Sequence, residues 1–203
     1  KTKLGANTIL AVSMAVKKLS AKVKKIPLYK NFIVKKNFKL PFPLMNIING
    51  GAHADNGLRI QEFMIRPDKA RSFNDAVRMC FLVINNLKLL LKKAGHSINV
   101  GDEGGFAPPC DAQSGLEMIM EAATNAGHVD KISVGLDVAA SEFKVEGKNE
   151  YDLDFKSSPE EKDSSMLLSG DELMAMNTRL SEEFPIVTIE DPFDQNDCTV
   201  TLF

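Results

Sequence analysis

Two short apolar runs, residues 40–48 and 60–65, stand so close together that they constrain the rest of the fold. The first carries Pro41 and Pro43 and is closed by Asn49-Gly50-Gly51; the second is closed by Pro67. Each has the length of a buried strand rather than of a helix. A parallel crossover needs a dozen residues or more, so the short polar loop 52–59 joins antiparallel neighbours. The chain therefore begins its sheet with a hairpin, and the direction of the second strand is opposite to that of the first.

Beyond Pro67 the periodicity becomes helical. Ser72 is placed to cap a helix with the apolar stripe Phe73, Ala76, Val77, Cys80, Phe81, Ile84, Leu87 and Leu91, and Gly95 stands where a C-terminal glycine belongs. Ser114 and Glu117 have the spacing of a capping box for a second helix running to about Gly127. A third strand comes next at 131–137, then a surface hairpin at 143–155 turning around Glu146-Gly147-Lys148-Asn149. Ser169 with Glu172 caps a further helix, which must end near Phe184 because Pro185 is next, and 186–190 is a fourth strand. The order from Pro41 is β, β, α, α, β, α, β, an α/β class with a partly parallel sheet.

Ahead of these elements, residues 7–23 place Ile9, Val12, Val16, Leu19 and Val23 on one stripe of an amphipathic helix, expected to face a core. Residues 1–40 hold eleven lysines and no acid, leaving 14 basic against 27 acidic side chains in the remainder. Such asymmetry marks either a solvated helix face or an arm for a polyanion; without arginine or interleaved aromatics the solvated face is the better reading and nucleic acid is not expected. A third possibility is that the basic end packs on an acidic surface outside the chain. The chain starts at Lys1 without a methionine, as a shortened sequence would. No apolar run approaches the ~18–20 residues of a membrane span and no signal peptide is visible, so a cytoplasmic protein is expected. Cys80, Cys110 and Cys198 are odd in number and scattered, which suits free thiols.

Chemistry-bearing residues gather at strand ends. The third strand finishes in Asp137 and the fourth in Glu190-Asp191, and in parallel α/β barrels the carboxyl ends of the strands form the active mouth. Acids from separate strands suit a hard cation such as Mg²⁺. Because the second strand is antiparallel, its start, Gln61-Glu62, lies at that same mouth, and His53 on the loop leaving the first strand should reach it. The run 99–109, N-V-G-D-E-G-G-F-A-P-P, sets Asp102 and Glu103 between three glycines. It reads either as a plain turn or as an acid held under Phe106 and two prolines, where burial would raise its pKa.

The strings K-L-G-A-N, N-G-G-A-H-A-D-N, Q-E-F-M-I, V-G-D-E-G-G-F-A-P, G-L-D-V-A-A-S-E-F and I-E-D-P-F-D-Q-N-D resemble the enolase family in order and spacing over nearly the whole chain. The resemblance implies a small α+β domain followed by a ββαα(βα)₆ barrel, with residues 1–38 as the helical end of the first and 39–203 as the first half of the second. It implies the Mg²⁺-dependent, reversible dehydration of 2-phosphoglycerate to phosphoenolpyruvate in glycolysis, and a homodimer. By the same resemblance Glu103 is the general acid and Glu62 the glutamate beside it. His53 and Gln61 contact substrate, with Glu62 and Glu190 against it. Asp137 and Glu190 hold the first magnesium. The family's lysine base, third metal aspartate and phosphate-binding residues fall beyond Phe203, and a serine loop for a second magnesium falls before Lys1. After D-Q-N-D the family continues with Trp, where this chain has Cys198. A half barrel with unpaired edges is expected to be marginal, so an inactive fragment with at most a binding role is the alternative to a working lyase.

Overall fold

A computed structural model describes residues 2–33, 37–158 and 160–197. Cys198 and the departure from the family pattern that begins there lie outside the described residues. The chain divides into two compact units, Lys1–Pro41 and Phe42–Phe203.

In the first unit, α1 (Ala6–Val23) ends at Lys24, and a single 3-10 turn, Leu28–Asn31, comes after Pro27. The two are tied together twice, by Lys17 Nζ donating to the Asn31 carbonyl at 3.1 Å and Asn31 Nδ2 donating to the Lys17 carbonyl at 3.2 Å. The apolar stripe is not a core. Ile9, Val12, Val16, Leu19 and Val23 are all exposed and Ala21 is the buried residue of the helix. One helix and one turn supply no second layer within the unit to cover a stripe of that length.

The second unit is built on a four-stranded sheet in the order β1-β2-β3-β6. β1 (Met45–Asn49) and β2 (Glu62–Arg66) are antiparallel, β2 and β3 (Ser133–Asp137) are antiparallel, and β3 and β6 (Ile186–Glu190) are parallel. Between β2 and β3 come α2 (Phe73–Lys93) and α3 (Ala112–Asn125), and α4 (Gly170–Glu183) precedes β6. Ile48, Phe63, Ile65, Leu87, Leu116 and Leu136 are fully buried in one continuous core.

Local signals decide most boundaries. Ser72 caps α2 by accepting from the Asp75 amide at 3.1 Å, and Gly95 ends the helix at φ 76°. Ser169 and Glu172 form the reciprocal capping box of α4, which stops before Pro185. Four expectations differ. β1 starts at Met45 rather than Leu40, because Pro41 and Pro43 have no N–H to give a ladder. The buried face of α2 includes Met79 and Val83, while Phe73, Val77 and Phe81 are exposed. α3 begins three residues early, capped by Asp111, whose Oδ1 accepts from the Ser114 amide at 2.8 Å, so Ser114 lies inside the first turn. The turn around Gly147 makes only one bridge, Lys144 to Tyr151; β4 (Glu150–Asp152) pairs instead with β5 (Leu167–Ser169) in a separate two-stranded sheet.

The ββαα opening with parallel strands after it is that of a barrel begun with a hairpin, of which these residues form one part. β1 and β6 are the sheet's two edges. The edge of β1 is covered by the 99–110 segment: the Asn49 amide donates to the Phe106 carbonyl at 2.8 Å and the Phe106 amide to the Ile47 carbonyl at 2.9 Å. Among the described residues no helix is long and apolar enough to cross a membrane. Cys80 and Cys110 are free, with burial pushing both thiols up to about 11.

Candidate active site

Sheet register sets the site. Glu62 pairs with Asp137 across β2 and β3, and Asp137 pairs with Glu190 across β3 and β6, so three carboxylates stand in one row at one end of the sheet. Strand direction is what brings them there: β2 starts where β3 and β6 finish. From the end of β1 the chain passes Gly50 into a 3-10 turn, Gly51–His53, which delivers the imidazole to the same end.

Glu103 arrives from the covering segment, and glycine is required for it to do so. A Cβ on Gly101 would lie 2.6 Å from the His53 carbonyl oxygen and 2.7 Å from Asn49 Cβ; one on Gly105 would lie 2.5 Å from Asn49 Oδ1. In place of side chains the backbone bonds directly: the Gly105 amide donates to Asn49 Oδ1 at 2.9 Å, the Asp102 amide to the His53 carbonyl at 3.2 Å, and the Gly101 amide to the Gly105 carbonyl at 2.8 Å. The glycine frame therefore serves to lay this loop against β1 and the His53 turn.

The result is a compact group. Ligand atoms of His53, Glu62 and Glu103 all lie within 4.8 Å of one another. His53 Nδ1 is buried and makes no hydrogen bond; it stands 3.7 Å from Glu62 Oε1 and 3.8 Å from Glu103 Oε2. Those distances are too long for a hydrogen bond and short enough for attraction when the ring is charged. Asn46 Nδ2 donates to Glu103 Oε2 at 3.2 Å, while Asn46 Oδ1 is buried without a partner. Gln61 Nε2 reaches Asp137 Oδ2 at 3.3 Å, and the Ala139 amide donates to Asp137 Oδ1 at 3.0 Å.

Electrostatics divide the two glutamates in the sense opposite to the sequence-based expectation. The Glu62 side chain is only 15% exposed, and burial, aided by the neighbouring Glu103, Asp137 and Glu190 carboxylates, pushes its pKa up from 4.5 to about 7. Glu103 is 47% exposed; the hydrogen bond from Glu62, then Asn46 and the charge of His53, hold it below the usual range. Phe106 is buried on the edge of β1, yet the Glu103 side chain is left half-exposed. The pair thus takes up one proton as pH falls through about 7, with burial favouring Glu62 as its holder.

This has a stability consequence in metal-free solution. A carboxyl whose folded pKa lies above its unfolded value favours folding fully below pH 4.5, and that contribution is lost as pH rises through about 7. Comparing urea midpoints of the wild type with Glu62→Gln, the wild type is expected to lose about 2 kcal/mol relative to the variant between pH 4.5 and 8, less than ~1.4 kcal/mol per unit would give because the carboxyl meets water on one side. A pH-independent difference would refute the assignment.

Asp137 and Glu190 suit a hard divalent cation. Both offer only oxygen, they lie side by side on parallel strands, and Asp137, 8% exposed, has its pKa raised by burial and by Asp191, a strain that a bound cation relieves. The His53, Glu62 and Glu103 group mixes nitrogen with oxygen and suits proton transfer better. All six residues picked from the sequence, His53, Gln61, Glu62, Glu103, Asp137 and Glu190, meet at this end. Asn46 and Asn49 were missed. For Asn46 the signal was present, a polar residue inside the apolar run, whereas Asn49 reads in the sequence as the start of the turn that closes that run and proves to be the last residue of β1.

Together, fold and site describe an α/β-barrel segment whose strand ends bring His53, Glu62 and Glu103 into one group beside Asp137 and Glu190. Residues 37–201 match the family model described as "Enolase, C-terminal TIM barrel domain". The chain is 52% identical over 200 residues to the enolase of Pelagibacter ubique, 50% over 203 to enolase 2 of Hevea brasiliensis, and 48% over 203 to the enolase of Solanum lycopersicum, in each case over 97% of this chain and 45% of the relative. The chain belongs to the enolase family, and it spans less than half the length of these relatives.

Proposed function

We propose that the protein containing this chain is the glycolytic lyase of the family, interconverting 2-phosphoglycerate and phosphoenolpyruvate with Mg²⁺. The observation that supports this most is the meeting of His53, Glu62 and Glu103 within 4.8 Å at the strand ends that bear Asp137 and Glu190. Dehydration needs a proton for the departing hydroxyl. Glu62, whose carboxyl burial raises to about 7, exchanges a proton with Glu103, which faces the open side and delivers it. Asn46 fixes the Glu103 carboxylate, His53 contacts the substrate from its loop, and Gln61 orients Asp137. Asp137 and Glu190 would hold Mg²⁺, which would supply positive charge beside the substrate carboxylate. Residues 1–38 belong in this reading to the helical end of the preceding domain and 39–203 to the first half of the barrel, of a cytoplasmic homodimer.

The test is phosphoenolpyruvate formation from 2-phosphoglycerate by the complete protein with and without Mg²⁺, paired with Mg²⁺ titration of Asp137→Asn. Metal-dependent turnover and at least about tenfold weaker Mg²⁺ affinity in the variant are expected. Absent turnover would favour the inactive, binding-only alternative, and unchanged affinity would remove Asp137 from the cation site.

A further inference from the structure

The loop that carries His53 is clasped from about a hundred residues away. Lys156 lies beyond β4, and although as a residue it is exposed, its ammonium is turned inward. Nζ donates to the carbonyls of Ala54 and Asn56, each at 2.8 Å, and reaches that of Leu58 at 3.5 Å. Three carbonyls meet the three protons of an ammonium, so the group's donors are matched by the loop alone. Burial, the largest influence, lowers the pKa of Lys156, as expected of a cation drawn out of water. The clasp is reciprocal: Arg59, at the far end of the same loop, donates from Nε to the Leu153 carbonyl at 2.6 Å.

These bonds act on a segment whose two ends are already anchored, by the Gly51 amide donating to the Leu58 carbonyl at 2.9 Å and by the buried Leu58 and Ile60 side chains. His53 is fixed at its amide by the Gly50 carbonyl and at its carbonyl by the Asp102 amide. Beyond it, Asn56 Nδ2 ties the loop to the Asn49 and Pro108 carbonyls at 3.0 and 3.1 Å. Lys156 takes the Asn56 carbonyl itself and those of Ala54 and Leu58 on either side of it. A charge-assisted bond to backbone is about twice as strong as a neutral one, so a single ammonium collecting these carbonyls is what orders the exposed middle of the loop, 54–57, between its anchored ends.

We propose that Lys156 is a positioning residue for His53, a cationic clamp that ties the 54–58 loop to the segment after β4 and so fixes the turn that carries His53. This deepens the acid–base reading of the site and rests on it for the importance of His53. The test needs no turnover, so the two can fail separately. The chain has three histidines, His53, His96 and His128, whose ring signals can be followed together by NMR with amide exchange at His53, Asn56 and Leu58.

In Lys156→Met, exchange at those amides is expected to rise about tenfold, the consequence of losing charge-assisted bonds, and the His53 ring signal to shift while those of His96 and His128 stay. Lys156→Arg, which keeps the charge and several donors, is expected to restore both readings at least in part. If Lys156→Met does not fold, Lys156→Gln is measured in its place. A folded uncharged variant with unchanged exchange and an unmoved His53 signal overturns the proposal. So does a general rise in exchange across the sheet that Lys156→Arg fails to reverse, because that marks a purely structural role.

Discussion

Glu103→Gln is expected to reduce dehydration by about 10²- to 10⁴-fold, the usual worth of a positioned proton donor, with Mg²⁺ affinity nearly unchanged. Glutamine keeps the size of the side chain and a partner for Asn46 Nδ2, so the loop should stay in place. What it loses is the carboxylate that accepts from Glu62. That loss acts twice. The proton has no carrier to the open side of the site, and Glu62 no longer has the Glu103 charge beside it, one of the causes raising its pKa, so it holds its proton less well at neutral pH. Burial, the larger cause, remains, and Glu62 stays above the ordinary carboxyl range. Turnover by the complete protein and Mg²⁺ titration are the two measurements. Normal turnover would take Glu103 out of the reaction; lost Mg²⁺ affinity would mean that it acts through the cation site.

How this pair behaves was only half legible in the sequence. That Glu62, Asp137 and Glu190 share one end of the sheet comes from strand direction, which loop length reveals: only eleven residues between two apolar runs force a reversal, and helices between later runs restore the parallel sense. Caps are local for the same reason, and Ser72 and Ser169 stand where the letters place them. The division of charge between Glu62 and Glu103 is not local. It depends on which carboxyl the β1 edge leaves open, and the glycines that suggested a buried Glu103 serve instead to lay the loop on Asn49. The α1 stripe misled because periodicity names an apolar face without naming what covers it. β5, three residues long, is too short to carry a period, and Lys156 works across a hundred residues with no spacing that marks it.

The same dependence on distant contact makes Gly101→Ala a damaging single methyl in the site. Its Cβ would meet the His53 carbonyl at 2.6 Å and Asn49 Cβ at 2.7 Å, and neither can retreat easily: Asn49 is fully buried in β1, and the His53 carbonyl accepts from the Asp102 amide. Overpacking of this kind costs about 1–3 kcal/mol, and relief requires parting the His53 turn from the Glu103 loop. The variant is therefore expected to lose that much stability in urea unfolding and, in the complete protein, to lose turnover along with it. Gly57→Ala is the control. It lies on the same His53 loop, has nothing within 4 Å of its added Cβ and no positive φ, so it is expected to change stability by less than about 1 kcal/mol. Equal effects from the two would mean that alanine acts through the unfolded chain. A near-neutral Gly101→Ala would mean that the loop does not sit as closely on β1 as these contacts require, and Glu103 would then lose its place beside His53.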